Sequence, residues 1–329
     1  MPKPRVYVTR LIPEEGLRMI QEVCDVEVWE GELPPPREVL LEKIKGKDGL
    51  LSLLTDKVDA ELMDAAGTLR VISNYAVGYD NIDVKAATER GIPVGNTPGV
   101  LTETTADLAF TLLMVVARRV VEGVDYVRAG QWKTWGPRLL LGQDVHGATL
   151  GIIGFGRIGQ AMARRARGFD MKVLYYNRTR REDLEVSLDV RYVDLDTLLR
   201  ESDFISIHTD LNPSTYHLIN AEALAKMKRT AILINTARGP IVDPGALAEA
   251  LEKGIIAGAG LDVTEPEPIP LDSPLLRLPN CVIVPHIGSA SVATRGLMAR
   301  MAAENLLAGV HGERLPNCVN PEVYERKEA

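Results

Sequence analysis

Cysteine is scarce and unpatterned. Cys24, Cys281 and Cys318 are odd in number and far apart, with no metal-ligand spacing. That argues against a disulfide framework, fits a reducing compartment, and leaves no metal site to expect. Long basic runs are also missing, and 38 basic side chains face 45 acidic ones, for a formal net charge of −7. An acidic surface disfavours non-specific association with nucleic acid. The longest apolar stretch, Leu108–Ala117, is interrupted by Thr111 and is too short to span a bilayer. The chain opens straight into strand-like residues without a charged-then-apolar leader pattern, so the cytoplasm is the expected location. There is no internal repeat and no low-complexity tract, and only the tail after Pro321 looks loose.

What is present is an alternation of short apolar strands with amphipathic helices. Arg5–Thr9, Val26–Trp29, Gly49–Leu54, Val71–Asn74 and Pro93–Asn96 are predicted strands, with helices over Pro13–Val23, Arg37–Ile44 and Ala60–Ala66. That alternation predicts a parallel sheet covered on both faces. Asn96-Thr97-Pro98-Gly99 breaks the pattern and is the expected first interdomain crossing. A long helix is then predicted from about Thr102 to Ala129. Its first part is apolar on nearly every face, so burial against a second domain or a second subunit is expected, and a homodimer is favoured. A second alternating unit follows, with strands at Thr149–Ile153, Lys172–Tyr176, Phe204–His208, Thr230–Asn235, Gly258–Leu261 and Cys281–Val284. A last helix, Val292–Ala308, would return to the first domain and leave a cleft between the two.

The strongest local signal is TLGIIGFGRIGQ, in which Gly154, Gly156 and Gly159 form G-x-G-x-x-G between a strand and a helix. Gly154 permits a tight turn, Gly156 lets backbone approach a pyrophosphate, and Gly159 lets helix and strand pack closely. The anion would rest on the amides of the helix that begins with Arg157 and Ile158. As a bare pattern this is often only a tight turn, but the strand–turn–helix–strand setting points to a dinucleotide. After the second strand come Asn177, Arg178 and Thr179, with no carboxylate until Glu182. A carboxylate there would bind the ribose 2′-hydroxyl of NAD, whereas Arg178 can pair with a 2′-phosphate. NADP(H) is therefore favoured, with NAD(H) tolerated if the turn is only a solvated basic one.

Three further strands each end on a polar residue: Arg238 in NTARGP, Asp262 and Glu267 in LDVTEPEP, and His286 in PHIGSA. Each alone could be a solvated loop side chain. At the carboxyl ends of strands in one open parallel sheet, all can converge on one crevice.

These stretches, with AVGYDNID (76–83) and the GFGRIG loop, resemble the D-isomer-specific 2-hydroxyacid dehydrogenases over essentially the whole chain. Within that family, YYNRTR and the pair Trp132 and Trp135 in QWKTWGP are most similar to glyoxylate/hydroxypyruvate reductases. The resemblance implies two doubly wound α/β domains with parallel sheets. One is a flavodoxin-like substrate domain (1–99 and 288–329), the other a Rossmann cofactor domain (100–287). It implies that Arg238 binds the substrate carboxylate and 2-oxo oxygen, and that His286 is the general acid in reduction. Glu267 would orient His286 and favour its protonated form, because a nearby anion stabilises an imidazolium. Thr236, Ala237, Asp262 and Gly288 would line the nicotinamide. Leu53 and the amides of Val77 and Gly78 would bind substrate, and Trp135 would reach a partner subunit's site. Asp210 departs from the family's usual proline, so the cofactor contacts of that loop are not carried over. Two alternatives remain open: a 3-phosphoglycerate dehydrogenase without its regulatory domain, and a dinucleotide-sensing binding protein like the corepressors of this fold.

Overall fold

The computed structural model describes residues 2–325, so the last four residues of the tail expected to be loose lie outside the described residues. Just before them, Pro321–Val323 forms a 3-10 turn. The chain divides into two compact units, 1–101 with 289–329, and 102–288.

In unit 1 the strands are β1 (Arg5–Val8), β2 (Asp25–Val28), β3 (Gly49–Ser52), β4 (Val71–Asn74) and β5 (Val94–Gly95). They form one parallel sheet in the order β2-β1-β3-β4-β5, the doubly wound flavodoxin-like order. The helices are α1 (Glu14–Val23), α2 (Arg37–Lys43), α3 (Ala60–Ala66) and α4 (Val84–Glu89), and α12 (Val292–Val310) returns from the far end of the chain. Alternation along each strand builds two cores. Val6, Val8, Leu51 and Val71 pack with Leu17 and Ile20 of α1 and Met298, Ala302 and Leu306 of α12. Tyr7, Leu50 and Ile72 face Leu40, Leu62, Met63 and Ala87 on the other side. Full burial of a side chain such as Leu50 contributes roughly 1.5–3 kcal/mol.

Unit 2 begins with α5 (Thr102–Ala117) and α6 (Val120–Arg128). It continues with β6 (Thr149–Ile153), α7 (Arg157–Arg167), β7 (Lys172–Tyr176), α8 (Glu182–Leu188), β8 (Val190–Tyr192), α9 (Leu195–Glu201) and β9 (Phe204–Ile207). It ends with α10 (Ala221–Lys226), β10 (Ile232–Asn235), α11 (Pro244–Glu252), β11 (Gly258–Leu261) and β12 (Cys281–Ile283). Its seven parallel strands run β12-β11-β10-β9-β6-β7-β8, a Rossmann order whose reversal point lies between β6 and β9. Both faces are covered, one core centred on α5 and α7 and the other on α9, α10 and α11.

The single long helix expected over Thr102–Ala129 is two. Arg119 adopts φ +51, a left-handed conformation that ends α5 and redirects the chain into α6. No Gly or Pro marks the break. The burial of α5 also has a different source from the one expected, because Phe110, Leu112, Leu113 and Val116 pack into the core of unit 2 itself. The apolar surface that stays open belongs to α6, where Val120, Val121, Val124 and Val127 are all exposed. Ion pairs fasten α5 to α7, with Arg165 between Glu103 (2.8 Å) and Asp107 (2.6 Å) and Arg164 on Glu103.

Candidate active site

The glycine loop follows β6. Gly154 has φ +91, and a Cβ there would lie 2.5 Å from the His208 carbonyl oxygen, so only glycine fits the turn. At Gly159 a Cβ would come within 2.3 Å of the Gly154 carbonyl, which fixes how closely α7 packs on β6. Gly156 differs: nothing of the protein lies within 4 Å of its would-be Cβ. It is also the N-cap of α7 and supplies no side-chain acceptor to the first-turn amides of Arg157, Ile158 and Gly159. Open space above unsatisfied, dipole-aligned donors is an anion cradle. Asn177 braces it, accepting from the Phe155 amide (3.1 Å) while its own amide donates to the Thr179 carbonyl (2.8 Å).

The basic turn after β7 sorts its arginines. Arg180 pairs with Glu185 at 2.7 Å and holds that carboxyl down at about 2, and Arg181 pairs with Asp183 at 2.8 Å. Arg178 is exposed, and among the described residues no ion-pair partner is assigned to it.

At the end of β10, Asn235 shapes the next turn. Its side-chain oxygen accepts from the Ala237 amide (3.0 Å) and its nitrogen donates to the Arg238 carbonyl (2.8 Å). Arg238 itself is extended, and its Nη1 donates to the Ala237 carbonyl at 2.8 Å. Thr236 is buried and its hydroxyl has no partner among the described residues, an orphaned donor where a ligand amide could be satisfied. With the Gly156 cradle, this orphaned hydroxyl makes the residues present a fit for a nicotinamide dinucleotide.

Gly239 lies against the loop after β11, since a Cβ there would sit 1.9 Å from the Thr264 carbonyl oxygen. That approach brings the Arg238 turn beside the segment carrying Glu267. The His286 turn is tied to the same strand end. Asp262, which is buried, accepts from the amides of Ile287 (2.6 Å) and Gly288 (2.8 Å), while its carbonyl accepts from the His286 amide (2.9 Å). Burial pushes the Asp262 carboxyl up, opposed by those two amides and by His286. His286 adopts φ +51 and its Nδ1 donates to Glu267 Oε1 at 2.6 Å. With Nδ1 committed to the carboxylate, the other ring nitrogen is the one left to meet a substrate. The two side chains keep 27% and 35% of their surface, enough for a small ligand to reach them.

Unit 1 by itself carries a loop after β4. Asn74 donates to the Gly78 carbonyl (2.9 Å) and Asn96 to the Val77 carbonyl (2.8 Å). Both carbonyls are thereby held back, and among the described residues no acceptor is assigned to the Val77 and Gly78 amides. Leu53 is half-buried, and its carbonyl accepts from Asn81 (3.0 Å). Trp135 lies in unit 2 with 79% of its surface open. The bracing roles of Asn235, Asn74 and Asn96 were not anticipated from sequence, and no local motif announces them.

No group of three or more His, Cys, Asp or Glu side chains among the described residues is arranged to hold a metal ion. Nor is any described helix long and apolar enough to cross a membrane.

Comparison with known proteins identifies the family. Residues 110–288 match the family model for the D-isomer specific 2-hydroxyacid dehydrogenase, NAD binding domain. A glyoxylate reductase from Korarchaeum cryptofilum is 60% identical over 324 residues, 98% of each chain. A crystal structure of a Thermus thermophilus protein superposes with TM-score 0.91 at 53% identity, covering 96% of this chain and 99% of that one. An NADPH-dependent glyoxylate/hydroxypyruvate reductase from Sinorhizobium meliloti, solved with NADP and malonate, gives TM-score 0.85 at 34% identity, covering 97% of both. A dinucleotide cradle, a histidine–carboxylate pair and an arginine at neighbouring strand ends are thus found in a chain whose full-length relatives include glyoxylate reductases. This chain belongs to the D-isomer specific 2-hydroxyacid dehydrogenase family and is an NAD(P)-dependent dehydrogenase.

Proposed function

We propose that the enzyme reduces glyoxylate to glycolate and hydroxypyruvate to D-glycerate, using NADP(H) in preference to NAD(H). The observation that carries this is the 2.6 Å bond from His286 Nδ1 to Glu267, which fixes the ring with its other nitrogen available. When bound, the nicotinamide would supply the hydride that carbonyl reduction needs. His286 gives its Nε2 proton to the oxygen as charge develops there, and takes it back in the oxidative direction. Glu267 holds the ring in place. Arg238 pairs with the substrate carboxylate and with the developing oxyanion.

For unit 1, taken as the substrate-binding domain, we assign substrate contact to Leu53 and to the unengaged amides of Val77 and Gly78. For unit 2, taken as the cofactor domain, Gly154, Gly156, Arg157, Ile158 and Gly159 hold the pyrophosphate. Asn177, Arg178 and Thr179 face the adenosine ribose, and Thr236, Ala237, Asp262 and Gly288 face the nicotinamide. The preference for NADP(H) rests on Arg178, the arginine of its turn not engaged with a carboxylate.

We place the protein in the cytoplasm as a homodimer. The exposed valines of α6 would form the contact, with Trp135 reaching the partner's active site. Val124→Glu would then yield monomers by sedimentation; an unchanged mass would move the interface elsewhere.

The test of function is His286→Asn with a panel of 2-oxo acids. Asparagine tolerates the left-handed backbone, so the loss reports chemistry rather than strain. A fall in kcat of about 10²–10⁴-fold is expected, with NADPH binding retained. Wild-type turnover in the variant would refute the role of His286. Faster reduction of 3-phosphohydroxypyruvate than of glyoxylate would refute the substrate.

A further inference from the structure

The Arg238 turn and the Glu267 loop both meet a third segment, 216–219, to which no role has been given. His217 Nε2 donates to Glu265 Oε2 at 2.6 Å, and the Tyr216 hydroxyl reaches the other oxygen of Glu265 at 3.4 Å. On its backbone side, the His217 amide donates to the Pro240 carbonyl (2.8 Å) and the Ile219 amide to the Ile241 carbonyl (3.0 Å). The Asp243 amide donates back to Ile219 at 3.0 Å. The segment is therefore bonded through its backbone to the turn that displays Arg238, and through one imidazole to the loop that carries Glu267.

Several features show that this imidazole is held in place. His217 has φ +47, in the left-handed region that few non-glycine residues occupy and that histidine enters more readily than most. Its ring stacks on Tyr216 with centroids 4.0 Å apart and planes 16° from parallel. Asp243, whose Oδ1 caps α11, places its other oxygen 4.0 Å from His217 Nδ1. The side chains of His217 and Glu265 keep only 28% and 26% of their surface.

We propose that His217 is a positioning residue for catalysis. Its bond to Glu265 clamps the loop at 264–268 against the turn at 238–243, and so sets where Glu267 meets His286. Glu265 and Glu267 are two residues apart, about 7 Å of chain at full stretch. A loop released at Glu265 therefore carries Glu267 with it. The inference rests on the assignment of Glu267 and His286 as catalytic.

The test compares His217→Asn, which suits the left-handed backbone but is too short to reach Glu265, with His217→Gln, which restores reach and donor. Glyoxylate reduction by NADPH is measured at saturation, together with KM for NADPH. We expect kcat to fall about ten-fold in His217→Asn and to recover in His217→Gln. KM for NADPH should stay within about two-fold in both, because the cofactor loop is untouched. Glu265→Ala should reproduce the loss and add little to His217→Asn in the double variant. Wild-type kcat in His217→Asn, equal losses in the two His217 variants, or fully multiplicative losses in the double variant would each overturn the proposal. If His217→Asn does not fold, Glu265→Gln against Glu265→Ala decides. Retained rate in the first and loss in the second supports the clamp, and equal rates overturn it. His286→Asn, assayed alongside, separates the two levels. Full activity there removes the catalytic assignment and this inference with it, whereas an inactive His286→Asn beside an unaffected His217→Asn removes the clamp alone.

Discussion

Replacing Gly239 by alanine tests how tightly the Arg238 turn and the Glu267 loop are held together. The added methyl would sit 1.9 Å from the Thr264 carbonyl oxygen, 2.1 Å from its carbon and 2.8 Å from the Glu265 nitrogen, all backbone atoms that no rotamer change can move. A close carbon–oxygen contact needs roughly 3.3 Å, so the two segments must part by about 1.4 Å. Gly239 is not among the left-handed glycines, so alanine suits its backbone and the clash alone is being measured. Overpacking of this kind costs about 1–3 kcal/mol of stability. A displacement near 1 Å within a catalytic set costs about a hundred-fold in rate. Gly239→Ala should therefore melt several degrees lower yet remain folded at 25 °C. Its kcat for glyoxylate should fall about a hundred-fold with KM for NADPH little changed. Circular dichroism gives the first quantity and the nicotinamide absorbance the second. A folded variant with kcat within about two-fold of wild type would show that the turn and the loop need not touch, and the reasoning would fail.

Gly156→Ala is the converse case. With nothing of the protein near its Cβ, stability without ligand should stay within about 0.5 kcal/mol. NADPH affinity, followed by fluorescence titration, should drop at least about ten-fold as the methyl enters the pyrophosphate's place, and unaltered affinity would empty the cradle of its role. Arg178→Ala removes a charge-assisted contact, so NADPH should weaken by about ten-fold or more while NADH is spared. Equal losses for both would put the 2′-phosphate elsewhere. His208 gives a pH signature, because burial pushes its imidazole from the ordinary 6.5 down to about 3. The unfolded chain binds a proton there that the folded one refuses, so stability falls as pH drops from 6.5 towards 3. The slope from this one group is at most about 1.4 kcal/mol per pH unit. His208→Gln should flatten that part of a melting-temperature profile, and an unchanged slope would assign acid sensitivity to other groups.

How much of this was legible in the sequence varies with how local each signal is. Gly154, Gly156 and Gly159 carry their geometry in their spacing, and strands such as β6 and β10 are near-continuous apolar runs that parallel sheets require. Arg238, Glu267 and His286 stand out because each interrupts such a run at its end. The split between α5 and α6 was invisible because Arg118-Arg119 contains no breaker, and arginine has no preference for the left-handed conformation that Arg119 adopts. β8 escaped notice because three residues carry no period. The braces made by Asn235 and Asp262 were equally hidden. A side chain that accepts from a backbone amide 26 positions away, as Asp262 does from Gly288, leaves no trace in local pattern.

The bend at Arg119 also separates two packing environments. Because α5 is locked into the core of unit 2 and no residue of α6 is buried, changes on the outer helix do not pass through the packing that supports the sheet. Substitutions along Val120–Val127 should thus leave the stability of the nucleotide-holding scaffold in place, whereas the same exchanges ten residues earlier would be paid for in folding.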